Sequence, residues 1–272
     1  YIPKFGMSTG NGDLFIRMWH ELDFQKIDMN SKSEQEASEK NMKWVALDKG
    51  GQYRKWYGNR YYVVLWKNNG KEIKECSKSA VRSPQFFFRP HISWTLISTG
   101  HFSARLFENG FALDTASNCI YFKGEIDYDV LGFLNSKVAD NYLAVLNPTM
   151  NFSCGIIGML PYQRKKNTEI EELVTNSVLQ EKEDFNSSET SWDFEKHPFC
   201  EKGDSIEEAY CIWKQECDLR FTKLKNNEER LNSIFIEEYQ LGNELTSDVC
   251  DEEITVKRAD IQRDVKSFVS YA

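Results

Sequence analysis

The sequence predicts an α+β fold: a sheet-rich domain of mixed or antiparallel strands over residues 1–162, then an all-helical region over residues 163–272. Three observations predict it. Up to Tyr162 the apolar residues fall in short runs rich in Val, Ile, Phe, Tyr and Trp, bounded by Gly, Asn, Ser or Pro. That is the pattern of strands and turns. Beyond it they recur three and four residues apart, as on amphipathic helices. Charge divides at the same place: residues 1–163 carry 19 basic and 16 acidic side chains, and residues 164–272 carry 15 and 26. A net +3 half therefore precedes a net −11 half, which suggests a binding half and a solvated, supporting half.

Each element has its own signal. Gly6-Met-Ser-Thr-Gly-Asn-Gly-Asp13 reads as a loop, and Leu14 to Leu22 as a strand or short buried helix. The glycines do not make a phosphate loop, because the Gly-x-x-x-x-Gly-Lys-Ser/Thr spacing is absent. Glu34 to Lys43 is polar and reads as a surface excursion. Tyr61 to Trp66 is β-rich, and Lys67-Asn-Asn-Gly-Lys71 reads as a hairpin turn. Further strands are expected at Phe86 to Phe88, Ile92 to Ser98, Phe102 to Phe107 and Cys119 to Phe122. Asp127 or Asp129 caps a helix with Val130, Leu131, Leu134, Val138 and Tyr142 on one face, ended by Pro148. Phe152 to Leu160 reads as a buried strand.

In the second region Ile170, Leu173, Val174 and Val178 form one stripe, and Asn186 to Pro198 reads as a loop. Ser205-x-x-Glu208 is a capping box opening a helix that carries Tyr210, Trp213, Cys217, Phe221 and Leu224. A following helix carries Leu231, Ile234, Phe235 and Tyr239. The last pattern (Ile261, Val265, Phe268, Val269) reaches the end without a stop signal, and the first residue is not Met. Both lead to the expectation that the chain is a piece of a longer protein, truncated within its helical region.

The chemistry concentrates between Lys43 and Arg105. Twelve Lys or Arg there face three acids, a local +9 inside a chain of net −8. Trp44, Tyr53, Trp56, Tyr57, Tyr61, Tyr62, Trp66 and Trp94 are interleaved with them. Cations neutralise phosphates and flat rings stack on bases, so this composition points to nucleic acid. Gly50-Gly51 and Gly58-Asn59 are turn formers, expected to lift Gln52, Arg54, Lys55 and Trp56 off the scaffold. Phosphate contacts are expected from Lys49, Arg54, Lys55, Arg60, Arg89 and Arg105. Base reading is expected from Gln52, Arg54, Trp56, Asn59 and His101. The competing reading is an ordinary sheet with basic solvent edges and its Trp and Tyr in the core.

Other classes find less support. No apolar run approaches membrane-spanning length and no secretory signal is present. Seven scattered cysteines without a Cys-x-x-Cys pair fit free thiols in a reducing cytosol, so a cytoplasmic location is expected. His197-Pro-Phe-Cys200 is too isolated for zinc, and His91 and His101 lack a nearby nucleophile. Asn147-Pro148 begins like the Asn-Pro-Pro-Tyr motif of amino-methyltransferases, but Thr149-Met150 replaces its aromatic end, leaving a helix stop. Neither a catalytic residue, a metal nor a cofactor is therefore expected in this chain. Two alternatives stand beside DNA binding: a protein-interaction module docking through the acidic helical half, and a metal-dependent nuclease around Glu72 and Lys74 with Asp48.

Taken in order, several segments resemble one family. They are Gly6 to Glu21, Lys43 to Asn59, Phe88-Arg-Pro-His-Ile-Ser-Trp-Thr95, Phe102-Ser-Ala-Arg-Leu-Phe107, Leu131 to Lys137, Asn147-Pro-Thr149 and Glu189-Thr-Ser-Trp-Asp-Phe194. The series is similar to the C-terminal part of the large adenine-specific DNA methyltransferases of the phage-growth-limitation (BREX, PglX-type) class, related to type IIG restriction-modification enzymes. The resemblance implies a double-stranded DNA target recognition domain followed by a helical support. It implies that the S-adenosylmethionine-binding catalytic domain lies upstream, in the same polypeptide. Ser8, Thr9, Gly10, Asn11 and Arg17 would then stand at the junction with that domain, near where a target adenine is flipped out. Other proteins of a bacterial defence system are implied as further partners.

Overall fold

The structure, a computed structural model, describes residues 1–163 and 166–272. Arg164 and Lys165, which begin the acidic half of the charge division, lie outside the described residues. The chain forms two compact units, one of Tyr1–Asn135 with Ala139–Lys165 and one of Ser136–Val138 with Lys166–Ala272.

The first unit holds two sheets. An antiparallel sheet has the order β1-β9-β6-β7, from Ile2–Phe5 (β1), His91–Thr95 (β6), Ala104–Phe107 (β7) and Ser117–Tyr121 (β9). A mixed sheet has the order β2-β5-β4-β3, from Ile16–Met18 (β2), Ile27–Asp28 (β3), Trp44–Asp48 (β4) and Tyr62–Leu65 (β5). Phe111–Leu113 (β8) joins it by pairing in parallel with β4. The chain thus leaves one sheet on β7 and enters the other on β8. The turn between them is pinned at Gly110, whose φ is +104° and where a Cβ would meet Met29 O at 1.9 Å. Trp66, Phe87, Phe88, Val63, Leu47 and Tyr121 share one buried core drawn from both sheets.

The strands at Tyr61–Trp66, Ile92–Ser98, Phe102–Phe107 and Cys119–Phe122 form as expected, apart from their ends. Three expectations are corrected first. Lys67–Lys71 is not a hairpin turn: Asn68, Asn69 and Gly70 are left-handed and open helix α3 (Lys67–Glu75). Asn and Gly tolerate that conformation, and the missing Cβ of Gly70 leaves room for the Trp66 ring. Phe86–Phe88 is not a strand, because Pro84 sets the first residue of a 3-10 turn over Pro84–Phe86. The polar excursion at Glu34 does lie at the surface, with only Ala37 buried, and takes the form of helix α2 (Glu34–Lys40), capped by Ser33 and closed by left-handed Asn41. Phe152–Leu160 is not a strand either: Ser153 caps a short helix, α6 (Cys154–Ile157).

The expected helix from Asp127 is two, α4 (Tyr128–Leu134) and α5 (Lys137–Leu146). It breaks at Asn135, whose side-chain amide accepts from Ala104 N at 2.8 Å and donates to Ala104 O at 3.0 Å. A helix residue thereby satisfies the outer edge of β7.

The second unit is helical: α7 (Thr168–Asn186), α8 (Ile206–Glu238) and α9 (Ile261–Tyr271). Ser205 caps α8 by accepting from Glu208 N, while the Glu208 carboxylate takes Asp204 N. The two helices expected over Ser205–Tyr239 are one, of 33 residues. At 1.5 Å per residue it is about 50 Å long. Of the expected faces, Trp213, Cys217, Phe221, Leu224, Leu231 and Phe235 on α8 and Ile170, Val174 and Val178 on α7 are buried, while Tyr210, Ile234, Tyr239 and Leu173 are half-buried.

Candidate nucleic-acid interface

The basic stretch is built around the turn that follows β4. Asp48 ends that strand fully buried, and Gly50, Gly51, Trp56, Gly58 and Asn59 all have positive φ, so the chain doubles back twice before β5. Glycine takes such angles freely. Trp56 does not, and its φ of +64° comes with a bond from Tyr57 N to Lys55 O at 2.7 Å, a positive-φ γ-turn of the rare, strained kind. The surroundings hold it there. Trp56 N donates to Ala104 O (2.9 Å) and Leu106 N donates to Trp56 O (2.8 Å), so the turn is sewn onto β7.

The tip is held from beneath as well. Thr95 Oγ1 accepts from Gly51 N and donates to Gly51 O, both at 3.1 Å. Asn59 Nδ2 donates to Gln52 O (2.9 Å), Arg54 N to Ser103 Oγ (3.4 Å) and Gly50 N to Asp48 Oδ1 (3.3 Å). Arg105, on β7 and fully buried, donates to Arg54 O and Thr95 Oγ1, each at 3.2 Å. Below it lies a buried charge network. Asp48 accepts from Ser117 Oγ at 2.7 Å and faces His91 Nε2 at 3.3 Å. His91 stacks on Phe107 at 5.2 Å. Burial alone would raise the Asp48 pKa, but His91 and Arg105 outweigh it and hold the carboxyl below its usual range. Burial pulls the Arg105 guanidinium down to about 10, with Asp48 opposing the fall.

This arrangement divides the expected contact residues. Gln52 is exposed, Arg54 and Lys49 are half-buried at the turn, and the Lys49 ammonium lies 4.6 Å from the Tyr62 ring centroid. Lys55, Trp56, Asn59, Arg60 and Arg105 are not lifted off the scaffold; all are at most 6% exposed. They are corrected from DNA contacts to parts of the scaffold. Trp56 and Arg105 are bound to the sheet edge, and Asn59 ties the turn to itself. Arg60 stacks on Tyr57 at 3.8 Å and donates to Leu106 O and Glu108. Arg89 is half-buried and donates to Phe122 O at 3.0 Å, away from the turn. His101 is exposed, with Asp140 3.0 Å from its Nδ1.

The Gly6–Asn11 segment is fixed by backbone pairing: Met7 N donates to Leu113 O, and Ser8 and Ala80 exchange bonds. Thr9 is buried, Gly10 (φ +73°) lies against the Lys78 backbone, and Asn11 caps α1 (Gly12–Phe15). Arg17 donates to the carbonyls of Asp13 and Ile16.

Sequence reasoning missed the Asp48–His91–Thr95–Ser117 support. Its signal was a lone charge at the end of an apolar strand, in Val45-Ala-Leu-Asp48, and another inside one, in Ala104-Arg-Leu-Phe107. Charges so placed are buried only when paired. Asp48 is consequently not available to a nuclease centre, and Lys74 is engaged by Glu34 at 3.8 Å and the Trp66 ring. Among the described residues no group of three His, Cys, Asp or Glu is placed to hold a metal ion, and no helix is long and apolar enough to cross a membrane.

No family model matches the chain. It is 38% identical over 280 residues to the adenine-specific methyltransferase PglX of Lacticaseibacillus casei (strain Zhang), covering 98% of this chain and 23% of that protein. It is 30% identical over 262 residues to the adenine-specific methyltransferase BrxX of Escherichia coli O9:H4 (strain HS), covering 95% and 21%. Among solved structures it is similar to the type IIL restriction-modification enzyme MmeI, determined in complex with DNA, at a TM-score of 0.51 and 11% identity. That likeness covers 99% of this chain and 35% of MmeI, and it concerns the fold alone. The chain thus spans less than a quarter of the length of the curated relatives it matches. Over nearly its whole length it is related to one segment of the PglX and BrxX adenine-specific methyltransferases, as the ordered series of sequence segments implied.

Proposed function

We propose that this chain is the double-stranded DNA recognition module of an adenine-N6 DNA methyltransferase of a bacterial, cytoplasmic phage-defence or restriction-modification system. The sheet-bearing unit would read the target, and the helical unit would support it. The observation that carries this reading is the turn after β4: Gln52 and Arg54 sit on a tip whose backbone is fixed by Thr95 and by the buried Arg105 and Asp48. Gln and Arg can each bond a base edge at two points, and specificity needs such groups held rigidly. Kinship to two adenine-specific methyltransferases supports the same reading, as does the fold likeness to an enzyme solved with DNA. Methyl transfer from S-adenosylmethionine would belong to a catalytic domain elsewhere in the polypeptide. Ser8, Thr9, Gly10, Asn11 and Arg17 would meet that domain, and other defence proteins would join through surfaces outside the turn. Phosphate contacts within this unit fall to Lys49, Arg54 and Arg89, which reach solvent, with His101 at the rim.

Fluorescence anisotropy with a labelled duplex of mixed sequence, at several salt concentrations, tests this. Micromolar binding that weakens steeply with salt is expected. Binding that ignores salt would instead favour a protein-interaction module, and absence of binding even with the rest of the polypeptide restored would end the DNA reading.

A further inference from the structure

A second basic surface lies at the opposite edge of the antiparallel sheet from the turn. The Lys4 ammonium stands 5.0 Å and the Arg89 guanidinium 5.6 Å from the Phe86 ring centroid, and the Arg82 guanidinium stands 5.1 Å from that of Phe5. Arg82 and Phe5 are exposed and Lys4, Phe86 and Arg89 half-buried. Among the described residues no carboxylate pairs with any of the three cations. Lys4 and Arg89 share one ring and Arg82 stands on the ring of the residue next to Lys4, so positive charge collects along this edge without a counter-charge, which an anion from outside would supply.

The sheet register ties this edge to the turn. Phe5, Asn118, Trp94 and Ala104 form one row across β1, β9, β6 and β7, and Lys4, Cys119, Ser93 and Arg105 form the next. Both rows finish under the turn, because Ala104 O accepts Trp56 N and Arg105 donates to Arg54 O. Phe5 and Arg82 therefore stand at the same end of the sheet as Gly51 and Thr95. Three strand spacings of about 4.8 Å separate β1 from β7, roughly 14 Å. A B-DNA major groove is about 12 Å wide, so the phosphate wall beside a groove entered by the turn lies within that span of the sheet.

We infer that the β1 edge, through Lys4 and Arg82 with Arg89 behind them, is a sequence-independent docking surface for the phosphate backbone that flanks the groove entered by the turn. This rests on the DNA reading above and adds to it a contact that holds register without reading bases.

The test measures the dependence of log K on log salt for the full chain on a mixed-sequence duplex. Each phosphate neutralised contributes about 0.9 to that slope, so K4Q/R82Q should lower it by roughly 2. The double variant K214Q/K223Q removes the same charge from exposed positions of α8 and should leave the slope as in the wild type. R82E alone, at an exposed site without an ion pair, should weaken binding without changing the thermal midpoint. A wild-type slope in K4Q/R82Q overturns this proposal and leaves the DNA reading intact. Absence of duplex binding by the wild type, even with the rest of the polypeptide restored, overturns both.

Discussion

Asp48 and Arg105 set the shape of the candidate surface without reaching it. Each is fully buried: Asp48 is held by His91, Ser117 and Gly50 N, Arg105 by Arg54 O and Thr95, and the charge of Asp48 opposes the fall in the Arg105 pKa. Asp48→Asn removes the buried negative charge that His91 faces and Arg105 feels, and should cost about 3–5 kcal/mol in urea unfolding. The folded pKa of Asp48 is depressed, so its ionised form stabilises the fold above the unfolded value near 4, and that share is lost as pH falls through the lower folded value. The gap between wild type and Asp48→Asn should accordingly close on acidification; a gap unchanged down to pH 2 would contradict it. At this scale the sequence was half legible. Gly50, Gly51 and Gly58 announced the turn because their φ angles demand glycine. Lys55, Arg60 and Arg105 looked solvent-facing because composition shows charge and not burial; Arg105 is turned inward by the register of β7, and Lys55 and Arg60 by the turn folding onto that strand.

Among the elements, those with strong periodicity were legible and those made by caps were not. α7 and β5 followed their apolar spacing. α6 and the Pro84–Phe86 turn did not, since an apolar run of a few residues fits a strand and a helical turn equally, and Ser153 and Pro84 decided between them. α8 looked like two helices because Lys225-Asn-Asn-Glu-Glu-Arg230 is polar, yet Leu224 and Leu231 keep the same face across it. The left-handed start of α3 makes the sharpest prediction. At Gly70 a Cβ would meet the Trp66 ring at 2.8 Å with φ at +67°. Gly70→Ala should cost about 1–3 kcal/mol, read as a drop in thermal midpoint; an unchanged midpoint would mean the ring has room to move.

For the whole molecule, the division into a basic, sheet-bearing half and an acidic, helical half was visible in charge and periodicity, and the family in an ordered series of segments rather than one motif. What each exposed side chain does was not visible, because composition gives no orientation. If Arg54 reads a guanine, Arg54→Ala should cost about 1–3 kcal/mol at one base position and relax choice there, as selection from a random duplex pool would show. A uniform loss across sequences would make it a phosphate contact. The clasp on the turn carries one more consequence, for the order of events in folding. Gly51 meets Thr95 across 44 residues and Arg105 meets Arg54 across 51, so the bonds that fasten the turn to the sheet are non-local. Closing such loops is slow relative to forming the β6–β7 hairpin. The turn should be among the last parts of its unit to become native, and mutations there should speed unfolding while leaving the folding rate nearly untouched.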